Sequence, residues 1–158
     1  MMPRTGSARA GQLLFALSGA LLLGALWFQF VMKLPPCTMC FWQRYAHIAV
    51  LLLALPAALG GPRLLASGAV LAMLVSAGLG GFHAGVELHL WAGPGGCTGG
   101  LPPGASMADI MNRMLETKLV RCDAVPWSWL GISMAGWNAI LSGLGAMAAA
   151  LLLWKGKA

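Results

Sequence analysis

The sequence predicts an all-α membrane protein, a four-transmembrane-helix bundle with a short horizontal helix in the second extracytoplasmic loop. Composition carries most of this prediction, because 59% of the 158 residues are hydrophobic and only 9% are charged. About 25% of the residues of a soluble domain are charged, so this chain has too little polar surface to face water. Residues 1–158 are therefore expected to form a single integral membrane domain.

Four apolar stretches are long enough to cross a bilayer, for which a helix needs about 20 residues. The stretches without Asp, Glu, Lys or Arg are 10–32, 45–62, 64–86 and 124–154. We extend the second stretch back to Phe41, which places Arg44 in the first helical turn, and Pro126 moves the start of the fourth helix to 127–132. The predicted spans are about 12–32, 41–60, 64–84 and 129–154, joined on the side opposite the termini by loops at about 33–40 and 85–128.

The basic residues predict the orientation, because short cytoplasmic segments are enriched in Lys and Arg. With four spans, both termini and the turn between spans two and three lie on one side. That side holds Arg4, Arg9, Arg63, Lys155 and Lys157 and no acidic residue. On the other side, the basic residues of the long loop are balanced by four acidic ones. We therefore expect both termini in the cytoplasm.

Two other interpretations of the charge pattern are less favoured. A net charge of +6 is typical of nucleic-acid binding in a soluble protein, but these basic residues cluster at the ends of apolar stretches. The basic N-terminus and the first stretch could also form a cleaved signal peptide. That stretch is longer than the roughly 7–15 residues of a signal-peptide core, and no clear A-x-A site follows it. We expect no nucleic-acid partner and an uncleaved first span.

The four cysteines all lie in the two extracytoplasmic loops and would face an oxidising compartment. Cys37 and Cys40 form a C-x-x-C motif in the first loop, and Cys97 and Cys122 lie in the second. A C-x-x-C motif is typical of a redox pair but also of half a zinc site. Haem attachment requires His directly after the motif, where this chain has Phe41.

The pairing of the cysteines stays open at this point, since four cysteines allow three pairings. A Cys₄ zinc site is disfavoured because 24 residues (98–121) separate the second pair, whereas structural zinc sites use about two to four. Two inert disulfides that pin the loops remain an alternative to a redox relay.

Local chemistry favours the redox interpretation. Cys40 lies at the predicted N-terminus of the second helix, where the unpaired backbone N–H groups stabilise a thiolate. Arg44 follows on the same face, one turn deeper. An arginine inside the membrane boundary is energetically costly and is a functional candidate. It either extends to the lipid head groups or holds a bound electron acceptor beside Cys40.

One of the three histidines is a candidate site residue. His83 lies near the end of span three, with Glu87 following on its face, and it is expected either to pack against a neighbouring helix or to contact a ligand. His47 and His89 receive no role from the sequence.

The second loop has two parts with different composition. The glycine-rich segment around Cys97 predicts a flexible strip that leaves this thiol accessible. Residues 106–120 then predict a short helix, since Ser106 and Asp109 resemble a capping box. Its apolar face would lie on the membrane surface or pack on the top of the bundle.

Three motifs together resemble the disulfide bond formation protein B (DsbB) family. Residues 36–44 (PCTMCFWQR) resemble the family signature P-C-x-x-C-x-x-x-R. Residues 83–87 (HAGVE) are similar to its H-x-x-[LV]-[EQ] motif. Cys122 with residues 127–134 (WSWLGISM) is similar to its second-loop cysteine followed by W-x-[FW]-L-G-x-S-M. The resemblance covers nearly the whole chain, in the same order.

The resemblance implies a protein-disulfide:quinone oxidoreductase of the bacterial inner membrane. Such a protein reoxidises a periplasmic DsbA-like thiol oxidase and passes the electrons to membrane ubiquinone or menaquinone. Carried over by motif, Cys97 receives the partner's thiolate, and Cys122 pairs with Cys97 and exchanges with Cys37. Cys40 would adjoin the quinone. The family further implies that Arg44 stabilises the bound quinone and that His83 contributes to its site.

Two rival functions are less favoured. A vitamin K epoxide reductase-like enzyme is also four-helical with two cysteine pairs, but its C-x-x-C motif comes late in the chain, whereas here it comes first. A structural or transport membrane protein with inert disulfides does not account for Arg44 beside the C-x-x-C motif.

Overall fold

The computed structural model describes residues 6–94, 97, 106, 108, 111 and 120–156. Within these residues the chain forms four long helices: α1 (Gly6–Phe30), α2 (Thr38–Ala58), α3 (Arg63–Glu87) and α4 (Met134–Lys155). Each helix is long and apolar enough to cross a membrane. The predicted all-α, four-helix membrane fold is therefore confirmed.

A short β-hairpin precedes α4, in place of the helical start predicted near residue 129. Strands β1 (Ser128–Trp129) and β2 (Ile132–Ser133) pair antiparallel. The two residues between them, Leu130 and Gly131, both have positive φ angles, of 53° and 76°, as a tight hairpin turn requires. Ser133 then caps α4, because its Oγ accepts a hydrogen bond from the backbone N–H of Gly136 at 3.1 Å.

The first helix also begins earlier than the sequence analysis placed it. It starts at Gly6 rather than near residue 12, so Arg9 lies in its first turn instead of before it. The predicted horizontal helix over 106–120 falls for most of its length outside the described residues and stays a prediction.

One end of the bundle has a core of small apolar side chains. This end carries Arg63 and Lys155, and its buried residues are Ala10, Leu14, Val50, Ala54, Ala57, Ala66, Ala69, Met73, Ala146, Ala149 and Leu153. Small residues let helix backbones approach closely, which is how helices gain van der Waals contact in lipid. A Cβ atom on Gly11 would lie 2.6 Å from the backbone nitrogen of Ala58, so the α1–α2 crossing depends on this glycine.

The opposite end of the bundle is built differently. Buried polar side chains replace the alanines there, among them Gln43, His47, His83 and Glu87. Among the described residues, every buried side-chain nitrogen and oxygen has a hydrogen-bond partner. This end also carries the cysteines, and it is where a site for chemistry must be sought.

Candidate active site at the cysteine end of the bundle

The C-x-x-C motif forms the start of α2. Cys37 is the N-cap residue, and its Sγ accepts a hydrogen bond from the backbone N–H of Cys40 at 3.2 Å. The two Sγ atoms are 2.8 Å apart, with Cys37 buried and Cys40 half-buried. Hydrogen bonding to the side chain of Cys40 and burial both raise the pKa of the Cys37 thiol above its usual range. Cys37 is thus the inner sulfur of the pair, and Cys40 is the more exposed one.

The second pair forms a disulfide. Cys97 and Cys122 are bonded, with Cα atoms 5.3 Å apart, and the backbone N–H of Cys122 donates to the carbonyl of Cys97 at 2.6 Å. This is the pairing that the family resemblance implied. Both cysteines pack with Cys37, Met39 and Val86 in one buried cluster.

The prediction that Cys97 is accessible is wrong for this structure. Cys97 is 3% exposed and Cys122 is fully buried. Cys97 is bonded to Cys122 and packs in a cluster with Val86 at the end of α3, which the composition of the surrounding segment alone does not indicate.

His83 lies at the junction of the two cysteine pairs. Its Nε2 is 3.6 Å from the Sγ of Cys37 and 3.2 Å from the carbonyl oxygen of Cys122. A ligand atom of His83 and the sulfurs of Cys37 and Cys122 all lie within 4.8 Å of one another. The structure thus brings together three residues that are far apart in the sequence.

Arg44 lies on the wall between α1 and α2. Its guanidinium donates to the Oε1 of Gln29 and, at 3.2 Å, to the carbonyl of Ala25. It also lies 5.5 Å from the centre of the Phe41 ring. The charge is therefore held in place by α1 rather than left to extend freely, and sequence reasoning did not identify Gln29 or Ala25.

A cavity of about 580 Å³ opens between α1, α2, α4 and the segment that precedes the hairpin. Cys40, Gln43, Arg44 and His47 line it from one face of α2, at the i, i+3, i+4, i+7 spacing of a helix. Most of the remaining wall is apolar, including Leu21, Phe28, Trp127, Trp137 and Leu141. A cavity of this size, apolar with a few polar groups on one side, suits a small, largely apolar molecule with a few polar substituents.

A chain of buried hydrogen bonds runs from His83 into the bundle. The Nε2 of Gln43 lies 3.0 Å from the Nδ1 of His83, and the Nδ2 of Asn138 donates to the Oε1 of Gln43 at 2.7 Å. The Oδ1 of Asn138 lies 2.8 Å from the Nε2 of His47, whose Nδ1 lies 2.8 Å from the Oγ of Ser18. Sequence reasoning missed this chain, although the i+7 spacing from Cys40 to His47 was a signal that could have found it.

Glu87 fixes the end of α3 against the start of α4. Its Oε2 accepts a hydrogen bond from the Oγ of Ser133, the N-cap residue of α4. Its Oε1 is 3.9 Å from the Nε2 of His83. Glu87 therefore links the cap of α4 to the Nε2 side of the His83 ring, whereas Gln43 contacts its Nδ1 side.

Comparison with known proteins agrees with this geometry. A family model described as "Disulfide bond formation protein DsbB" matches residues 7–152. The chain belongs to the DsbB family. The expectation of an enzyme, a disulfide oxidoreductase, is thereby confirmed.

Similar proteins share most of their length with this chain. The "Disulfide bond formation protein B" of Methylococcus capsulatus is 35% identical over 161 residues, which cover 94% of each chain. The protein of the same name from Aromatoleum aromaticum is 33% identical and covers 89% of this chain and 88% of its own. That from Marinobacter nauticus is 32% identical, over 84% of this chain and 83% of its own.

Proposed function

We propose that this protein takes electrons from a DsbA-like periplasmic thiol oxidase and passes them to a quinone in the membrane, as a protein-disulfide:quinone oxidoreductase. The observation that carries the proposal is the meeting of two cysteine pairs beside an apolar cavity. The sulfurs of Cys37 and Cys122 come within 4.8 Å, and Cys40 lines the cavity together with Arg44. One pair can therefore exchange with the other, and the outer sulfur of the first pair faces a space that a lipid-soluble acceptor can enter.

The Cys97–Cys122 disulfide is the proposed entry point for electrons. A thiolate of the partner attacks Cys97, which forms a mixed disulfide and releases Cys122 as a thiolate. Cys122 then attacks Cys37 of an oxidised Cys37–Cys40 pair, and Cys40 leaves as a thiolate. Because Cys97 is buried, binding of the partner must first expose its sulfur.

Cys40 and Arg44 form the proposed exit. When bound in the cavity, a quinone would take up the two electrons and two protons that the Cys37–Cys40 dithiol gives up as it forms its disulfide. Cys40 is half-buried on the cavity wall, where the start of α2 favours its thiolate. The guanidinium of Arg44, held by Gln29 and Ala25, supplies a fixed positive charge close to the place where negative charge develops. The apolar wall of the cavity excludes water from this charge.

His83 belongs to the proposed quinone site as a lining residue only. It lines the cavity, but the hydrogen-bond partners described for both of its ring nitrogens are protein atoms. A direct contact between His83 and the quinone therefore stays a prediction.

The proposed location is the bacterial inner membrane, with both termini in the cytoplasm and both cysteine loops in the periplasm. The multi-pass arrangement of α1 to α4 supports this proposal. The basic residues Arg9, Arg63 and Lys155 all lie at the end of the bundle opposite the cysteines, as the enrichment of Lys and Arg in cytoplasmic segments requires.

The test is quinone reduction by the purified protein in the presence of a reduced DsbA-like thiol oxidase, with each cysteine replaced by serine in turn. We expect quinone reduction by the wild type and its loss in all four variants. In Cys122→Ser, the partner should be trapped on Cys97 as a mixed disulfide. A partner trapped on Cys37 would contradict the order of the relay, and quinone reduction that needs none of the cysteines would contradict the function.

A further inference from the structure

We propose that His83 is a catalytic residue of the exchange between the two cysteine pairs, where its Nε2–H stabilises the Cys37 thiolate. Gln43 and Asn138 act as positioning residues that hold His83 in the tautomer able to do this. The inference rests on the proposed function and assigns a step within it, one that involves sulfur rather than quinone.

The contacts of Nε2 indicate that this nitrogen carries the hydrogen. It lies 3.2 Å from the backbone carbonyl of Cys122, an atom that can only accept a hydrogen bond. The next atoms around it are the Sγ of Cys37 at 3.6 Å and the Oε1 of Glu87 at 3.9 Å. The same N–H can therefore turn from the carbonyl to the sulfur with a small movement.

The contacts of Nδ1 lead independently to the same tautomer. The Nε2 of Gln43 donates to the carbonyl of Met39 at 3.2 Å, which fixes the amide with its nitrogen towards His83. This amide nitrogen lies 3.0 Å from the Nδ1 of His83 and must donate to it. Nδ1 is thus an acceptor, and a neutral His83 carries its hydrogen on Nε2.

Asn138 keeps the Gln43 amide from turning over. Its Nδ2 donates to the Oε1 of Gln43 at 2.7 Å and to the carbonyl of Ser76 at 3.3 Å. Since the carbonyl of Ser76 can only accept, the orientation of Asn138 is fixed as well. Its Oδ1 then faces the Nε2 of His47 at 2.8 Å and accepts from the Oγ of Ser142 at 3.1 Å.

The step that His83 would accelerate is the resolution of the Cys37–Cys122 disulfide, which joins the two cysteine pairs. The second thiolate of the partner attacks the mixed disulfide, so that the partner leaves as its own disulfide and Cys97 is released as a thiolate. Cys97 then attacks Cys122 of the Cys37–Cys122 disulfide. The Cys97–Cys122 bond forms, the Cys37–Cys122 bond breaks, and the electron pair of the broken bond stays on Cys37. Charge is conserved and no proton is consumed. A hydrogen bond from the Nε2–H of His83 lowers the energy of the leaving Cys37 thiolate, and such charge-assisted bonds are among the stronger ones in proteins.

The same geometry disfavours a metal site at these residues. The sulfurs of Cys37 and Cys122 and a nitrogen of His83 are close enough to hold an ion. Cys122, however, is bonded to Cys97, and the Nε2 of His83 has no lone pair to offer in this tautomer. The juxtaposition therefore suits sulfur exchange better than coordination.

The experiment follows a single turnover without quinone. Quinone-free protein with both pairs oxidised is mixed with the reduced thiol oxidase, quenched with acid, alkylated and mapped for disulfides by mass spectrometry. In His83→Phe, the Cys37–Cys122 disulfide should form normally but be resolved roughly ten- to a hundredfold more slowly. His83→Gln places an amide N–H near the position of Nε2 and should restore most of the rate.

The positioning role is tested with a double-mutant cycle. Gln43→Met removes the donor to Nδ1 and should slow resolution in the wild-type background. It should have no further effect in the His83→Gln background, because glutamine has no tautomer to select. Ser142→Ala is the matched control, since it removes a buried hydrogen bond of the same chain while the carbonyl of Ser76 still fixes Asn138.

Three results would overturn the inference. One is normal resolution in His83→Phe together with a raised KM for quinone, which would make His83 a quinone ligand. Another is failure of His83→Gln to restore the rate. The third is a Gln43→Met effect of equal size in both backgrounds, which would indicate a structural role. The proposed function would fail if the wild type did not reduce quinone. That failure is distinguishable from failure of the inference, because disulfide exchange between the two cysteine pairs can still be followed with dithiothreitol as the electron donor.

Discussion

The two ends of the bundle bury different kinds of side chain. The end that carries Arg63 and Lys155 is packed with alanines and a few larger apolar side chains. The cysteine end buries Gln43, His47, His83 and Glu87, each hydrogen-bonded. Apolar packing needs only close approach of the helices, whereas buried polar groups need partners in defined orientations. The difference indicates that one end holds the helices together and the other positions reacting groups.

The largest effect should come from Cys40, at the cysteine end. Cys40→Ser removes the sulfur that lines the cavity, so quinone reduction should fall to background while the Cys97–Cys122 disulfide still forms. The measurements are quinone absorbance and an alkylation gel shift. Quinone turnover at the wild-type rate would contradict the role of Cys40 in the relay. It would also contradict the functional difference between the two ends of the bundle.

The next effect compares two arginines, one at each end. Arg44→Ala should raise the KM for quinone roughly ten- to a hundredfold, since an interaction with a charged group contributes about 1.5–3 kcal/mol. Binding of the partner should change little. Arg63 donates to the carbonyl of Leu153 at 2.7 Å at the opposite end, so Arg63→Ala is the control and should leave this KM unchanged. Equal KM values in the Arg44 variant and the wild type would contradict the proposed quinone site.

A substitution in the alanine-rich core should affect stability and leave the chemistry intact. In Gly11→Ala the new Cβ would lie 2.6 Å from the backbone of Ala58, and overpacking of this kind costs about 1–3 kcal/mol. Thermal unfolding in detergent should shift to lower temperature, with activity per folded molecule retained. Gly19→Ala, at a position with open space around it, is the matched control. A loss of activity without a loss of stability would show that the two ends are coupled.

The smallest expected effect lies where the two ends meet. Ser142→Ala removes one hydrogen bond to Asn138 within α4, and a single hydrogen bond between protein groups contributes about 0.5–1.5 kcal/mol. Unfolding measurements should detect a small destabilisation without a change in KM for quinone. A destabilisation as large as that of Gly11→Ala would contradict this ranking and would mean that the buried polar chain contributes as much to stability as the alanine-rich core does.

Much of the fold could be predicted from the sequence, because the signals for spanning helices are local. Apolar length predicted the four helices, and the motifs led to the four cysteines, Arg44 and His83. The start of α4 could not be predicted in the same way. Residues 129–133 are apolar enough for a helix, yet the positive φ angles of Leu130 and Gly131 turn them into a hairpin.

The sequence predicted which residues form the site, but it did not predict how these residues are arranged in space. The glycine-rich surroundings of Cys97 suggested exposure, but the disulfide to Cys122 buries it. His47 and Asn138 carried no assignment, because each acquires its role from partners on other helices. Distances between helices have no signature in a single sequence.

Composition, charge and motif order were enough to specify a four-span membrane protein with two cysteine pairs on one side. These properties depend on transfer of local segments into lipid and on the chemistry of single residues. Only the packing of α2 against α3 and α4 decided that His83 lies between the two pairs and that Gln43 and Asn138 follow it in a chain of hydrogen bonds. Such features depend on hydrogen bonds between distant residues, which exist only once the helices have packed.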